Sequence, residues 1–249
     1  MAKEKSELSE SNNKELILGI DDAGRGPVLG PMVLGGCLMY KERESELKKA
    51  GIKDSKLLTP AKREELVETL KDMILDSHFV ILTPVEIDTG LGMGVNLNEV
   101  EAIASATIVN KLCEKLTNEQ KKNLTIIIDC PSTNPPAWLI TVDKYIKNEH
   151  KKIRIKAEHK ADFNYPSVSA ASIIAKTTRD AEIEKHKKEL GFDFGSGYPA
   201  DPYTKKALEE HSEALLKHHL IRESWATWKN FAEKNNTENK KAKQSKLFE

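Results

Sequence analysis

Two short apolar segments that each end in aspartate place the strongest limit on the fold of this chain. Leu16 to Asp21 and Leu124 to Asp129 have the length and continuous apolar character of buried strands. Ile153 to Ala157 alternates apolar and basic residues, which is typical of a half-exposed strand. Segments with helical spacing of apolar residues lie between these strands. The pattern predicts an α/β fold.

The remaining elements follow from turn residues and periodicity. Thr59 and Pro60 suit the start of a helix, as N-cap and first-turn residue. Further strands are predicted at 28–40 and 78–85, and helices at 60–75, 97–116, 167–190 and 203–219. After Trp228 the chain becomes polar and rich in Lys and Asn, which predicts a flexible tail.

Length and composition exclude several classes of protein. A chain of 249 residues suits one α/β domain with a small appendage, and no apolar run approaches the ~20 residues that cross a bilayer. The polar start has no apolar signal core, so we expect a cytoplasmic protein without membrane contact. Cys37, Cys113 and Cys130 lie far apart in apolar surroundings, which favours reduced buried thiols. The formal net charge is zero, so any affinity for nucleic acid must come from local patches.

One local patch is strongly basic. From Lys144 to Lys160 the chain carries seven Lys or Arg against two Glu. Such a run is typical of a solvated helix end followed by an edge strand, and it is equally compatible with a nucleic-acid contact.

Four acidic residues fall where an α/β fold collects its chemistry: Asp21, Asp22, Asp129 and Asp162. Three of them end predicted strands, and the fourth follows the basic strand just before a helix. Ligands bind at the carboxyl ends of strands in such folds, so we expect these carboxylates to converge. Converging carboxylates repel one another unless a cation lies among them, and oxygen ligands favour Mg²⁺ or Mn²⁺. The sequence therefore predicts a metal site, with two ions about 4 Å apart that activate a water and hold a scissile phosphate.

Each of these acids has a plainer interpretation as a turn former or helix cap. Neighbouring strand residues point to opposite faces, so Asp21 and Asp22 share a site only where the strand ends or bulges. Gly24 and Gly26 supply such a bend and let a phosphate backbone approach the peptide N–H groups, while Arg25 offers a fork of donors. The segment lacks the spacing of a nucleotide-binding glycine loop.

A series of motifs runs in order along the chain. "GIDDAGRGPVLGPMV" and "IKDSKLLTPAKREEL" come first, followed by "NLNEVEA", "IIIDCP", "HKADFNYPSVSAASIIAKTTRD" and "GSGYPADPYT". Together they cover roughly residues 16 to 225. This ordered set resembles the type 2 ribonucleases H, in the arrangement of archaeal ribonuclease HII and the eukaryotic catalytic subunit.

The resemblance implies a ribonuclease H-like mixed sheet flanked by helices, with a helical C-terminal extension. It implies a monomeric, Mg²⁺- or Mn²⁺-dependent endonuclease that hydrolyses the RNA strand of RNA–DNA hybrids. Such enzymes also nick ribonucleotide-containing duplex DNA on the 5′ side of the embedded ribonucleotide, leaving 3′-hydroxyl and 5′-phosphate ends. The implied domains are a flexible N-terminus over 1–14, a catalytic domain over 15–200, a helical extension over 201–233 and a flexible tail over 234–249.

The resemblance also assigns roles to individual residues. It implies that the catalytic and metal-binding acids are Asp21, Asp22, Asp129 and Asp162. The implied substrate-binding residues are Gly24, Arg25, Gly26, Lys56 and Tyr198, with the tyrosine on the ribose 2′-hydroxyl, the group that distinguishes RNA from DNA. By plain sequence reasoning Tyr198 is a packing residue, and Lys56, Lys176 and Arg179 are phosphate contacts or solvated side chains.

Two positions leave alternatives open. Asp180 competes with Asp162 as the fourth acid, but it lies within a helix and is expected to pair with a neighbour. Asp22 stands where the family usually has Glu, and the missing methylene predicts an active but metal-sensitive enzyme. Two rival functions are a ribonuclease H that cuts hybrids only, and a catalytically silent hybrid-binding protein.

The C-terminus raises the question of a protein partner. Gln244 to Phe248 resembles the start of a clamp-binding box but lacks the final aromatic pair in register. A disordered end and a weak sliding-clamp contact are both open, and the composition favours disorder.

Overall fold

The computed structural model describes residues 14–52 and 59–245, with only the backbone described for residue 60 and residues 236–245. Lys56 and the last four residues of the chain lie outside the described part. The predictions for Lys56 and for the end of the clamp-binding segment therefore stay predictions.

A five-stranded sheet forms the centre of the fold. Its strands are β1 (Leu16–Ala23), β2 (Met32–Tyr40), β3 (Asp76–Leu82), β4 (Leu124–Asp129) and β5 (Arg154–Glu158). Their order across the sheet is β3-β2-β1-β4-β5. β1 pairs antiparallel with β2 and parallel with β4, and β4 pairs parallel with β5. The predicted mixed sheet is confirmed, and the basic strand β5 lies at its edge.

Helices connect and cover the strands. They are α1 (Glu44–Lys49), α2 (Pro60–Lys71), α3 (Pro84–Gly92), α4 (Leu97–Cys113), α5 (Asn118–Lys122), α6 (Pro135–Tyr145), α7 (Ala161–Asn164), α8 (Pro166–Leu190), α9 (Pro202–Lys217) and α10 (Ala226–Ser245). Side-chain N-caps explain several starts: Thr59 accepts from the backbone N–H of Lys62, and Asn96 accepts from that of Glu99. None of the described helices is both long enough and apolar enough to cross a membrane.

Two glycines allow α8 to pack directly on the sheet. A Cβ on Gly19 of β1 would lie 2.3 Å from the backbone of Ser167, and one on Gly35 of β2 would lie 2.6 Å from the carbonyl oxygen of Ala171. No larger residue fits between these backbones. The close approach brings the first turns of α8 against the strand that carries Asp21.

The chain folds into two compact units. The first comprises the described residues of Met1–Gly24, Met32–Ile81 and Val95–Ala181, and the second those of Arg25–Pro31, Leu82–Gly94 and Glu182–Glu249. The second unit includes two early segments because the backbone of 28–30 bonds with Gly197 and Leu220. The predicted boundaries at residues 200 and 233 stay predictions.

The described part of the predicted tail also differs from expectation. α10 continues to Ser245, across most of the segment predicted to be flexible from residue 234. The segment has no Gly or Pro, and Ala, Glu, Lys and Gln rank among the better helix formers.

The cysteine prediction is confirmed. Cys37, Cys113 and Cys130 are buried free thiols. Burial raises the pKa of both Cys37 and Cys113 to about 12, so these two groups stay protonated at neutral pH.

Candidate active site

The register of β1 and β4 aligns their acidic ends. Their parallel pairing finishes with Ile20 opposite Ile128, so Asp21 and Asp129 follow that pair at the same level. The expectation that β1 ends at Asp21–Asp22 is wrong, because β2 continues to pair with β1 as far as Ala23. Pairing with β4 has stopped by then, which leaves this edge of β1 open at both aspartates. The open edge is the reason that neighbouring residues can face one pocket without a bulge.

A backbone turn brings Asp162 to the end of β4. Lys160 adopts a left-handed conformation with φ 57°, and α7 begins directly after it. The backbone N–H of Ala161 then donates to Oδ1 of Asp129 at 2.7 Å. This bond holds the residue before Asp162 against the Asp129 carboxylate, and Asp162 itself is buried.

Asp21 lies at the electrostatic centre of the four acids. Its side chain is buried, and this burial raises its pKa well above the usual value for Asp. The negative charges of Asp22, Asp129 and Asp162 raise the pKa further. Asp22, Asp129 and Asp162 therefore all lie near enough to Asp21 to act on its carboxylate.

A hydroxyl and a lysine on α8 support the Asp21 carboxylate. Ser172 hydrogen-bonds to Asp21, which lowers its pKa and partly offsets the effects of burial and like charge. The ammonium of Lys176 donates to Oγ of Ser172 at 2.8 Å. Sequence analysis missed Ser172, because its position depends on the glycine-mediated packing of α8 on β1.

The acids open onto a small pocket in the first unit. The pocket has about 200 Å³ of empty space, counted together with the solvent at its mouth. Asp21, Asp22 and Asp129 line it, together with Glu101, Ser105 and Trp138 among others. The indole N–H of Trp138 donates to the carbonyl of Asn98 at 2.8 Å, which joins α6 to α4 beside the pocket.

Sequence analysis also missed Glu101 and Ser105. The signal was present, because positions 101, 105, 108 and 112 form one helical stripe in which two polar residues precede Ile and Leu. All four positions are buried.

The donor set of this acid pocket suits a hard divalent cation. The lining side chains that could bind an ion offer oxygen atoms only, and no Lys or Arg is among the lining residues. The raised pKa of Asp21 marks a place where added positive charge lowers the electrostatic cost. Within the described residues, no three His, Cys, Asp or Glu side chains are grouped so that they could hold one ion together. The predicted two-ion arrangement therefore stays a prediction.

The predicted glycine loop belongs to the second unit from Arg25 onward, where backbone hydrogen bonds anchor it. The N–H groups of Val28 and Leu29 both donate to the carbonyl of Gly197, at 2.8 and 3.2 Å. Leu29 also forms an isolated β-bridge with Ile221. These bonds join the loop to the segment that carries Tyr198.

Tyr198 lies beside Gly26 and is 43% exposed. A Cβ on Gly26 would be 3.6 Å from Cε1 of the tyrosine ring. Hydrogen bonds fix the loop that carries Tyr198. The Asp201 carboxylate accepts from the backbone N–H and the hydroxyl of Ser196, and the Thr204 hydroxyl accepts from the N–H of Gly197. The ring is therefore presented on a fixed loop, with part of its surface open to a ligand.

Other residues that the sequence analysis singled out are buried or form ion pairs. Asp180, the competing acid, forms a 2.6 Å ion pair with Arg63 of α2, where a neighbour on its own helix was expected as the partner. Arg179 is buried, so it offers no exposed contact for a phosphate. In the basic segment, Lys147, Lys151 and Lys156 form ion pairs with Glu114, Asp143 and Glu158, which supports the interpretation as a solvated helix end and edge strand.

Comparison with known proteins gives one consistent family. The model of the family "Ribonuclease HII" matches residues 18–228. A ribonuclease HII of Methanocaldococcus jannaschii is 44% identical over 239 residues, which covers 94% of this chain and 99% of the relative.

Solved structures agree with this result. The ribonuclease H2 of Pyrococcus horikoshii OT3 superposes with a TM-score of 0.75 at 38% identity, covering 88% of this chain and 98% of that one. The PCNA:RNase HII complex from Archaeoglobus fulgidus gives a TM-score of 0.72 at 34% identity, covering 84% and 95%. On these grounds the chain belongs to the ribonuclease HII family and is an endoribonuclease of the type 2 ribonuclease H class, which hydrolyses the RNA strand of RNA–DNA hybrids.

Proposed function

We propose that this enzyme is a divalent-cation-dependent nuclease that cuts RNA–DNA hybrids and also nicks duplex DNA on the 5′ side of an embedded ribonucleotide. Its products would carry 3′-hydroxyl and 5′-phosphate ends. The observation that carries the proposal is the acid pocket, where Asp21, Asp22 and Asp129 line one space and Asp162 acts on Asp21.

In this proposal the four aspartates hold Mg²⁺ or Mn²⁺. A bound divalent cation supplies Lewis-acid activation of water and neutralises charge on the scissile phosphate. Ser172 and the N–H of Ala161 keep the carboxylates of Asp21 and Asp129 oriented. The family usually has Glu at the position of Asp22, so this side chain is one methylene shorter than the usual ligand.

Substrate recognition is assigned to the glycine loop and Tyr198. Gly24, with φ 83°, and Gly26 expose the peptide backbone to the ribose and phosphate, and Arg25 contributes a guanidinium fork. Tyr198 lies beside Gly26 with an exposed ring, a suitable arrangement for reading a 2′-hydroxyl and packing on the next sugar.

The decisive experiment uses an end-labelled DNA duplex that contains one ribonucleotide. In Mg²⁺ or Mn²⁺ we expect a single nick 5′ of the ribonucleotide. A ligase should be able to reseal this nick, because ligation requires a 3′-hydroxyl and a 5′-phosphate. Asp129→Asn is the control and should leave the duplex intact. Cleavage of a continuous hybrid without a nick at the single ribonucleotide would favour a hybrid-only enzyme. Binding in chelator, with no cleavage in either cation, would indicate a silent binding protein.

We further propose that Gln244 to Phe248 contributes a sliding-clamp contact. Two observations support this proposal: the segment resembles the start of a clamp-binding box, and the Archaeoglobus fulgidus RNase HII forms a complex with PCNA. A pull-down with a sliding clamp, using the full chain and a chain truncated after Lys243, tests this. Equal recovery of the two chains would reject the contact.

A further inference from the structure

The wall of the acid pocket formed by α4 carries two polar side chains to which the resemblance assigns no role. Glu101 and Ser105 lie one helical turn apart on the same face, and both line the pocket with Asp21, Asp22 and Asp129. Their exposures are 2% and 1%. Both side chains are therefore withdrawn from bulk solvent and lie at the wall of a pocket that is rich in carboxylates.

Ser105 supplies independent evidence for a ligand at this wall. Its Oγ is buried and has no hydrogen-bond partner among the described residues. Buried hydroxyls are almost always hydrogen-bonded in native proteins, to protein or to ordered water. A polar ligand or a ligand's hydration water in the pocket would satisfy this atom.

The charge of the pocket indicates what that ligand is. Every ionisable side chain that lines the pocket is acidic, so an anion would be repelled and a cation attracted. Glu101 adds a further carboxylate to the pocket lining, on a side chain one methylene longer than those of the aspartates.

We propose that Glu101 and Ser105 form an additional part of the cation site, in which Glu101 contacts the hydrated divalent cation and Ser105 hydrogen-bonds to its hydration water. This inference rests on the proposed function, because it assumes that the four aspartates hold a cation in the same pocket. Groups that hydrogen-bond to a metal's ligands or to its bound water, without binding the metal directly, still contribute strongly to the metal affinity.

The test measures Mn²⁺ binding to the full-length protein without nucleic acid, by electron paramagnetic resonance of the free ion. Glu101→Gln should weaken Mn²⁺ affinity about tenfold or more. The matched control is Glu99→Gln, which makes the same change in charge on the same helix at a residue that accepts a 2.7 Å hydrogen bond from the Tyr145 hydroxyl. This control should bind Mn²⁺ as the wild type does.

Ser105→Ala separates ion binding from a structural role. Removing a hydroxyl that has no protein partner should leave the thermal midpoint of the metal-free protein unchanged or higher. If the hydroxyl serves hydration water, the same variant should nevertheless bind Mn²⁺ more weakly. This variant also decides the matter if Glu101→Gln fails to fold.

Asp129→Asn distinguishes failure of the proposed cation site from failure of the additional role of α4. If that variant retains wild-type Mn²⁺ affinity, the cation site of the proposed function fails. If Asp129→Asn loses affinity while Glu101→Gln and Ser105→Ala both bind normally, the cation site stands and the additional role of α4 is overturned.

Discussion

The buried guanidinium of Arg222 donates from Nη1 to the backbone carbonyl of Arg25, 2.9 Å away. Its Nε donates to the carbonyl of Gly30 at 3.0 Å, and the ring of Trp225 lies over it with 4.9 Å between Cζ and the ring centroid. One side chain therefore fixes both sides of the loop that begins with Arg25. The conformation of the proposed phosphate-binding loop therefore depends on a residue that lies 197 positions after Arg25 in the sequence.

Replacing Arg222 with Lys should loosen this loop while keeping the charge. A lysine is a single-point donor and cannot bond both carbonyls with the planar geometry of a guanidinium. We expect a loss of about 1.5–3 kcal/mol in the free energy of unfolding, since hydrogen bonds to charged groups have this strength. The KM for an RNA–DNA hybrid should rise, with a smaller change in kcat. Steady-state kinetics and thermal unfolding measure both effects, and Arg154→Lys, at an exposed edge-strand residue, is the control.

A methyl group on Gly19 should be among the most damaging single changes in the first unit. The added Cβ would lie 2.3 Å from backbone atoms of Ser167, which cannot move without displacing α8. We expect a loss of more than about 4 kcal/mol in the free energy of unfolding, in the range that single substitutions rarely reach. Chemical denaturation of Gly19→Ala checks this.

Gly92→Ala provides the comparison for that experiment. Gly92 lies at the end of α3, and an added Cβ would meet nothing within 4 Å. Alanine favours helix by up to about 1 kcal/mol relative to glycine, so this variant should be neutral or slightly more stable. A similar loss of stability in both variants would show that close packing of Gly19 is not the cause.

Local sequence pattern was sufficient for the strands that carry the acids. β1 begins at the predicted Leu16 and extends two residues past the predicted Asp21, and β4 occupies the predicted range of Leu124–Asp129. These features depend on residues whose chemistry is visible within a few positions.

Features that depend on packing between distant segments could not be predicted from local sequence pattern. Ser172 reaches Asp21 only because Gly19 and Gly35 admit α8 to the sheet, and Arg222 reaches its loop from the other end of the chain. The helices α3 and α6 were missed because their segments contain Gly, Pro and β-branched residues that disfavour helix. The N-caps Thr83 and Asn134, each followed by Pro, were the local signals for both.

Asp22→Glu should change the metal dependence of cleavage. The longer side chain restores the residue that the family usually has, and metal sites respond to displacements of a few tenths of an ångström. We expect half-maximal cleavage at a lower Mg²⁺ concentration than in the wild type, with a smaller preference for Mn²⁺. Rates over a Mg²⁺ titration and a parallel Mn²⁺ titration measure this. Identical metal dependence in the two proteins would reject the idea that Asp22 limits ion binding.

Asp21→Asn should abolish cleavage and yet stabilise the metal-free protein. Burial and the charges of three neighbouring aspartates disfavour the ionised Asp21 carboxylate, so a neutral amide relieves that cost. For a chain of this size each kcal/mol gained raises the thermal midpoint by about 2–4 °C. Added Mn²⁺ should then raise the midpoint of the wild type more than that of the variant, because a cation relieves the same repulsion.

The matched control makes the same substitution at Asp180. This carboxylate forms a 2.6 Å ion pair with Arg63, whose side chain is only 13% exposed, so Asp180→Asn removes a negative charge that compensates a largely buried positive one. Its thermal midpoint should fall, in the opposite direction to Asp21→Asn. If the thermal midpoints of both variants changed in the same direction, repulsion between Asp21 and the neighbouring aspartates would not explain the stability of Asp21→Asn.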